Sequence, residues 1–211
     1  DIVPLYHELY STVAPGFKSE NAQILRCIER ISKKVGTRGI YVMDRGGDRG
    51  TILKPLLDNK RQFLIRLVGT RHLLYRGKAV EARQLAASCP LPYAERVVKE
   101  QQGKEKQYYI EFGFRKVQLP HRCEPLYLVV VKGFGEEPLM LLTTVPMRKK
   151  RSLLWWAVEA YLTRWRIEET IRYIKQCYNL EDIRVMTYER LRNMAALVLA
   201  TAYFTAVHLG L

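Results

Sequence analysis

The early part of the chain alternates between two spacings of hydrophobic positions. Residues 19–36 repeat apolar positions at helical spacing between a capping serine and a closing glycine, so they predict a helix. The run GIYVM (39–43) is almost wholly apolar, which is typical of a strand in the middle of a sheet. A helix over 49–60 and a strand over 61–69 follow. This alternation favours an α/β sheet.

The pattern changes between residues 70 and 147. Short hydrophobic runs separated by glycine and proline predict several strands, with one short helix over 77–88. After a basic segment at 148–152, two long helices are predicted near 153–178 and 187–210.

Both ends of the chain are apolar. Residues 1–11 predict a strand or the end of one, without the pattern of a signal peptide. Residues 193–211 carry no charge and are nearly long enough to span a bilayer, but Asn193 and His208 interrupt them. We therefore expect a buried C-terminal helix and no membrane span.

The formal net charge of +14 points to a polyanionic partner, with an acidic membrane surface as the alternative. The four cysteines are scattered and form no CxxC pair, so we expect free thiols in a reducing compartment and no zinc site. Four histidines without ligand spacing add no metal site.

Charged residues gather on one side of the helix predicted after residue 152. On an ideal helix the following residues fall within about 100° of one another. They are Tyr161, Arg164, Trp165, Glu168, Arg172 and Lys175. We call them the charged row. The adjoining side carries Trp156, Ala160, Ile167, Ile171, Ile174 and Tyr178, which predict the core stripe.

A charged row beside a core stripe suits the wall of a cleft. The alternative is a helix stabilised by salt bridges one turn apart, from Arg164 to Glu168 and from Glu168 to Arg172. Trp155 and Trp156 open this helix, and we expect at least one of them in the core, although an exposed tryptophan could stack on a displaced base.

Asp44 follows a predicted buried strand and precedes the turn RGGDRG. Ligand sites of α/β sheets lie at the carboxyl ends of strands, and a carboxylate there suits a divalent metal. The alternative is a simple turn-forming aspartate, and Asp48 is expected to cap the next helix. Together, Asp44 and Glu168 suggest a carboxylate metal site for phosphoryl transfer.

The spacing Tyr161-x2-Arg164-x3-Glu168-x6-Lys175 resembles the Tyr-Arg-Glu-Lys signature of bacterial insertion-sequence DDE transposases. The segments RWRIEE, YVMDRGGDRG, PLYHELYS and FLIRL are also similar to that group. The resemblance implies an RNase H-like core with a β-rich insertion between the second Asp and the catalytic Glu helix. Residues 1–69 would be the first part of the core, 70–147 the insertion and 148–211 the helical completion.

The resemblance also implies roles for individual residues. Asp44 and Glu168 would bind Mg²⁺, or Mn²⁺ as a substitute, and Tyr161, Arg164 and Lys175 would complete the catalytic set by positioning DNA phosphates. Further DNA contacts would come from Arg45, Arg66, Trp165 and Arg172. The partners implied are double-stranded DNA, as element ends and target, and a second copy in an active homodimer, with no membrane and no small-molecule substrate.

The implied activity is cut-and-paste transposition by a cytoplasmic, nucleoid-associated bacterial enzyme. In that group the first catalytic Asp lies upstream of the segment resembling PLYHELYS. Here only residues 1–3 precede that segment, and Asp1 is not assigned the role because it stands at the chain terminus on what is expected to be a later strand. We therefore expect a truncated transposase that binds DNA but is inactive alone. The alternatives are a metal-dependent nuclease with the same core, a non-catalytic DNA-binding remnant and, last, a basic membrane-surface protein.

Overall fold

The chain forms two compact units in a computed structural model that describes residues 5–14, 16–101, 104–179 and 182–209. The sheet unit is Thr37–Leu162. The helical unit consists of Asp1–Gly36 and Thr163–Leu211.

The sheet unit contains eight strands in its described residues. In chain order its elements are β1 (Tyr41–Met43), α2 (Gly50–Asp58), β2 (Phe63–Arg66), β3 (His72–Tyr75), β4 (Lys78–Glu81), α3 (Ala82–Ala87), β5 (Tyr93–Gln101), β6 (Lys104–Val117), β7 (Leu126–Lys132) and β8 (Leu139–Thr143). The helix α1 (Glu20–Val35) precedes them in the chain, and α4 (Arg151–Cys177) and α5 (Tyr188–Phe204) follow.

Six strands form one mixed sheet in the order β1-β2-β8-β7-β6-β5. Only β1 and β2 are parallel, because α2 carries the chain back across the sheet between them. The remaining neighbours are antiparallel, and β3 and β4 form a separate two-stranded sheet. The sequence prediction of an α/β fold, β-rich between Asp44 and the helix carrying Glu168, is confirmed.

The core of the sheet unit lies on both sides of its central strands. All five residues of β8 are buried, and the first three of β2 are buried with them. Burial on both sides explains why these strands are continuous apolar runs without alternation. The apolar side of α2, which includes Ile52 and Leu56, is buried too, and so is the start of α4 at Leu154.

A buried carboxylate holds the turn after β1 in place. The side chain of Asp48 has no solvent exposure; its Oδ2 accepts from Val68 N at 2.8 Å and its Oδ1 from Arg71 Nε at 2.7 Å. Arg71 also donates to the backbone oxygen of Asp48. The expected role of Asp48 as a helix cap is therefore wrong, since Arg49 is the N-cap of α2 and Asp48 instead joins two loops.

Close packing of Gly47 also holds this turn in place. A Cβ at this position would lie 2.7 Å from Met43 Cβ and 3.3 Å from Ile65 Cγ2, so a side chain there would push the turn away from β1 and β2. Gly47 of the RGGDRG segment thus has a packing reason, and its close contact with β1 and β2 holds the turn beside Asp44.

The helical unit begins with an extended segment packed on α1. Ser19 caps α1 by accepting from Ala22 N, and Gly36 ends the helix with a positive φ, as predicted. Residues 5–11 form no regular structure, so the strand predicted there is wrong, and residues 1–4 lie outside the described residues. Instead of backbone pairing, side chains join this segment to α1, since Arg26 Nη1 donates to Glu8 Oε1 at 3.0 Å.

Three further expectations are corrected. Within the described part of the sheet, β1 is an edge strand and only half-buried, whereas a central strand was expected. The expectation failed because the length and apolarity of a strand do not determine its place in the sheet. The helix predicted over 77–88 begins as strand β4, whose Glu81 pairs with His72. The C-terminal helix is largely exposed, because α5 buries small residues (Ala195 and Ala202) and leaves larger apolar side chains in solvent.

All four cysteines are free thiols, as predicted. Burial raises the pKa of Cys89 against the opposing charge of Arg115, and burial followed by the charge of Glu8 raises that of Cys27. A search of the described residues finds no helix that is both long enough and apolar enough to cross a bilayer.

The Asp48 contacts predict a large loss of stability on substitution. We expect Asp48→Ala to lower the free energy of unfolding by about 3 kcal/mol or more, because it leaves the Arg71 guanidinium and Val68 N without their acceptor. Urea unfolding measures this loss. The control is Asp58→Ala, which removes the exposed pair with Arg122 and should cost much less. Equal losses would contradict the anchoring role.

Candidate active site

Asp44 caps the single helical turn that follows β1. Its Oδ1 accepts from Gly46 N at 2.8 Å, and a Cβ on Gly46 would lie 2.9 Å from that oxygen. The side chain is exposed, and within the described residues Oδ2 has no hydrogen-bond or ion-pair partner. The turn-forming role is therefore observed, and one carboxylate oxygen is left for a further ligand.

Arg66 lies at the same end of the sheet. In the parallel register Met43 pairs with Ile65, so Asp44 and Arg66 each follow the last pair on neighbouring strands. Arg66 is half-buried and forms no ion pair in the part of the chain that the structure describes. Arg45 is exposed and reaches Glu137 Oε2 at 3.3 Å, a surface pair that another anion can displace.

The first half of α4 buries the side of the helix that carries Tyr161. This tyrosine is 0% exposed, and its neighbours Leu154, Ala157 and Val158 are buried as well. On an ideal helix these four residues fall within about 100°. The predicted core stripe is wrong at three positions, because Trp156, Ile167 and Ile171 are exposed, but it is confirmed at Ile174.

The charged row continues along the side of Tyr161 into the helical unit. Arg164 has 16% of its side chain exposed and Glu168 has 58%, and they form an ion pair with Arg164 Nη1 at 2.7 Å from Glu168 Oε1. This is one of the two salt bridges expected from the sequence. The other, between Glu168 and Arg172, does not form in the described part of the chain.

The remaining residues of the row become more exposed toward the end of α4. Trp165 is half-buried, while Arg172 and Lys175 are exposed. At the start of the helix, Trp155 is half-buried with its ring centroid 5.9 Å from that of Phe112, and Trp156 is exposed. Neither indole belongs fully to the core, contrary to the expectation that at least one would.

The predicted site residues fall in both units. Asp44, Arg45, Arg66 and Tyr161 belong to the sheet unit, and the row from Arg164 to Lys175 belongs to the helical unit. Asp44 and Glu168 offer hard oxygen ligands of the kind that Mg²⁺ prefers, and each has an oxygen outside the contacts described above. The described residues contain no group of three potential metal-ligating side chains.

The sequence analysis missed a polar cavity in the helical unit. It has a volume of about 470 Å³ and is lined by residues of the first segment, α1 and α5. Gln23, Arg26 and Arg30 line it, and their spacing of three and four positions on α1 was the signal that could have revealed it. Burial, followed by the hydrogen bond to Glu8, raises the pKa of Tyr6 in its wall, so the phenol keeps its proton.

Comparison with known proteins identifies the family of this chain. The sequence model of one family, described as Transposase DDE domain, matches residues 4–205. A search of curated proteins gives no match. The mixed sheet with its helices is consistent with the RNase H-like fold of that family, whose members are DNA-acting phosphoryl-transfer enzymes that generally use divalent metal ions. The match covers most of the chain, and the chain belongs to the DDE transposase domain family.

Proposed function

We propose that this chain is part of the catalytic core of a cut-and-paste insertion-sequence transposase, with the Tyr-Arg-Glu-Lys signature at Tyr161, Arg164, Glu168 and Lys175. Asp44 would be the second catalytic aspartate. The enzyme would cut one strand at the element end and use the freed 3′-hydroxyl to attack the other strand or the target.

The observation that carries the proposal is the position of Asp44. It is exposed at the carboxyl end of a strand, one of its oxygens is held by the backbone, and the other has no partner in the described residues. Asp48 and Gly47 hold this turn against the sheet. A carboxylate on a rigid support suits catalysis, because its geometry is set before the substrate binds.

Asp44 and Glu168 would hold the divalent ions. Bound there, Mg²⁺ would activate the attacking oxygen and stabilise the leaving oxygen of a phosphodiester. The chain's cations would act on the phosphates: Arg66 and Arg45 beside Asp44, and Arg172 and Lys175 along the charged row. Guanidinium groups hold phosphate oxygens with two parallel hydrogen bonds, which orients the scissile bond.

Arg164 would change partners during this reaction. In this structure it donates to Glu168 Oε1, which occupies one of the two oxygens available to a metal. A DNA phosphate beside Arg164 would compete for the guanidinium and release that oxygen. Substrate binding would thereby favour the arrangement of Glu168 that binds metal.

The first catalytic aspartate is not assigned to any residue of this chain. We propose that it precedes this sequence in the complete enzyme, that the active form is a homodimer and that 70–147 is an insertion between the two parts of the core. The 211-residue chain alone would then bind DNA and cut it poorly.

The carboxylate roles are tested in a chain extended upstream along its reading frame. We expect Asp44→Asn and Glu168→Gln each to lower Mn²⁺-dependent nicking and joining of DNA carrying the element ends by more than about 100-fold, because even groups that only support a metal ligand contribute 10- to 100-fold. Gel analysis of the products measures both steps, and duplex binding should be retained.

Two exposed carboxylates serve as matched controls. Glu169→Gln alters the neighbour of Glu168 on the same helix, and Glu136→Gln alters an exposed acid of the sheet unit. Both variants should keep full activity. Activity indifferent to Asp44→Asn and Glu168→Gln would reject the proposed site, and nicks without joined products would favour the nuclease alternative.

Tyr161 needs a separate test because it is buried. We expect Tyr161→Phe to keep the ring packed and to change the free energy of unfolding by about 1 kcal/mol or less, while lowering strand cleavage by about tenfold through loss of the hydroxyl. Parallel urea unfolding and cleavage assays give both values. Unchanged cleavage would assign Tyr161 to the core alone.

Binding of duplex DNA should depend strongly on salt. For the 211-residue chain we expect log K to fall linearly with log salt between about 50 and 200 mM, and Arg172→Gln to reduce the slope by about one. Fluorescence anisotropy with a labelled duplex measures the slope. Lys54→Gln, which removes an exposed cation of α2, is the control, and an equal effect of both variants would contradict a specific role for Arg172.

A further inference from the structure

Some side chains that line the cavity of the helical unit are hydrogen-bonded to one another, and one buried acceptor among them has no donor within the described residues. Tyr6 donates its hydroxyl proton to Glu8 Oε2 at 2.6 Å, and Arg30 Nη1 donates to the Tyr6 oxygen at 3.1 Å while its guanidinium carbon lies 5.5 Å from the centre of the Tyr6 ring. Gln23 also lines the cavity, is only 9% exposed, and its Oε1 has no hydrogen-bond partner within the described residues. A buried acceptor without a donor is costly, so a ligand that supplies one is favoured.

The charge of the cavity favours an anion. Arg26 is neutralised by Glu8, whereas Arg192 of α5 lines the cavity and forms no ion pair in the part of the chain that the structure describes. Arg30 donates to Tyr6 and lies over its ring, and it forms no ion pair within the described residues. Two guanidinium groups that form no ion pair in the described residues of one cavity provide donors for a phosphate group.

A bare phosphate would leave Gln23 unsatisfied, because its oxygens are predominantly acceptors. A nucleotide meets both requirements, a donor for Gln23 and an anion for the arginines. Every base presents an N–H donor on its pairing edge, and the phosphate binds the guanidinium groups. The base also needs an aromatic surface, and Tyr10 provides one: it lines the cavity, is exposed and stacks on Phe17 with ring centroids 5.6 Å apart. The volume of about 470 Å³ falls in the usual range of ligand pockets.

We infer that this cavity binds one unpaired nucleotide of a DNA strand, with its phosphate on Arg30 and Arg192, its base against Tyr10 and its pairing edge on Gln23. The choice of DNA rests on the proposed function. A paired base cannot occupy the cavity, because its pairing edge is taken by its partner. The cavity would therefore distinguish single-stranded from duplex DNA, in the manner of stacking sites for single strands.

The test uses the 211-residue chain without divalent metal. Anisotropy compares a labelled single-stranded tetranucleotide with a labelled blunt duplex. We expect Gln23→Leu to weaken single-strand binding by about tenfold and Tyr10→Leu by at least about fivefold, with duplex binding unchanged by either. Arg192→Gln should weaken single-strand binding, whereas Arg190→Gln, on the same helix outside the cavity, should not.

Competition separates a nucleotide site from an anion site. A deoxynucleoside monophosphate should displace the tetranucleotide at concentrations at which inorganic phosphate does not. Equal competition by phosphate, equal effects of the variants on duplex binding, or no effect of Gln23→Leu in a folded chain would each overturn the inference. The binding assay involves no cleavage. Its outcome therefore does not depend on the cleavage assays that test Asp44 and Glu168.

Discussion

The arrangement of the sheet unit's candidate site depends on one buried carboxylate. Asp48 accepts hydrogen bonds from Val68 N and from Arg71, which ties the loop after β1 to the loop after β2. A carboxylate without solvent exposure is stable only with such partners, so the two loops cannot separate without leaving a charge unpaired. Because Gly47 packs directly on Met43 and Ile65, the same turn holds Asp44 at the strand end with its carboxylate in solvent. Asp48 of the RGGDRG segment is thus structural, whereas Asp44, just before that segment, is exposed.

Helix α4 shows how one side of a helix can serve two purposes. The side of Tyr161 is buried in the first half of the helix, and in the second half it carries Arg164 and Glu168 with increasing exposure. The partly buried Arg164 holds the exposed Glu168, so the carboxylate is oriented from the buried end of the row. A rigid helix fixes the distances between the members of the charged row. Only the surroundings of each member decide whether its side chain is packed or exposed.

Sequence patterns predicted features that are determined locally. Ser19 and Gly36 marked the ends of α1 because capping depends on neighbouring backbone groups, and the apolar runs located β2 and β8. Features that depend on distant residues were missed. The helical wheel correctly grouped Tyr161 with the charged row but could not tell which side of α4 would be covered, since periodicity gives directions and not neighbours. The pairing of Asp48 with Arg71 joins residues of two loops, and no spacing rule reaches across them.

The excess of positive charge becomes informative only when cations are sorted by their partners. Arg71 and Arg26 are paired with carboxylates inside the fold, so their charges are already compensated and contribute little to attracting a polyanion. Arg66, Arg172 and Arg192 form no ion pairs within the described residues. Arg66 lies beside Asp44, Arg172 on the charged row and Arg192 at the cavity. Each of these three guanidinium groups lies at a position also argued from strand register, from helix geometry or from a buried unsatisfied amide. Binding of nucleic acid at these positions would release counterions without first breaking the fold's own ion pairs.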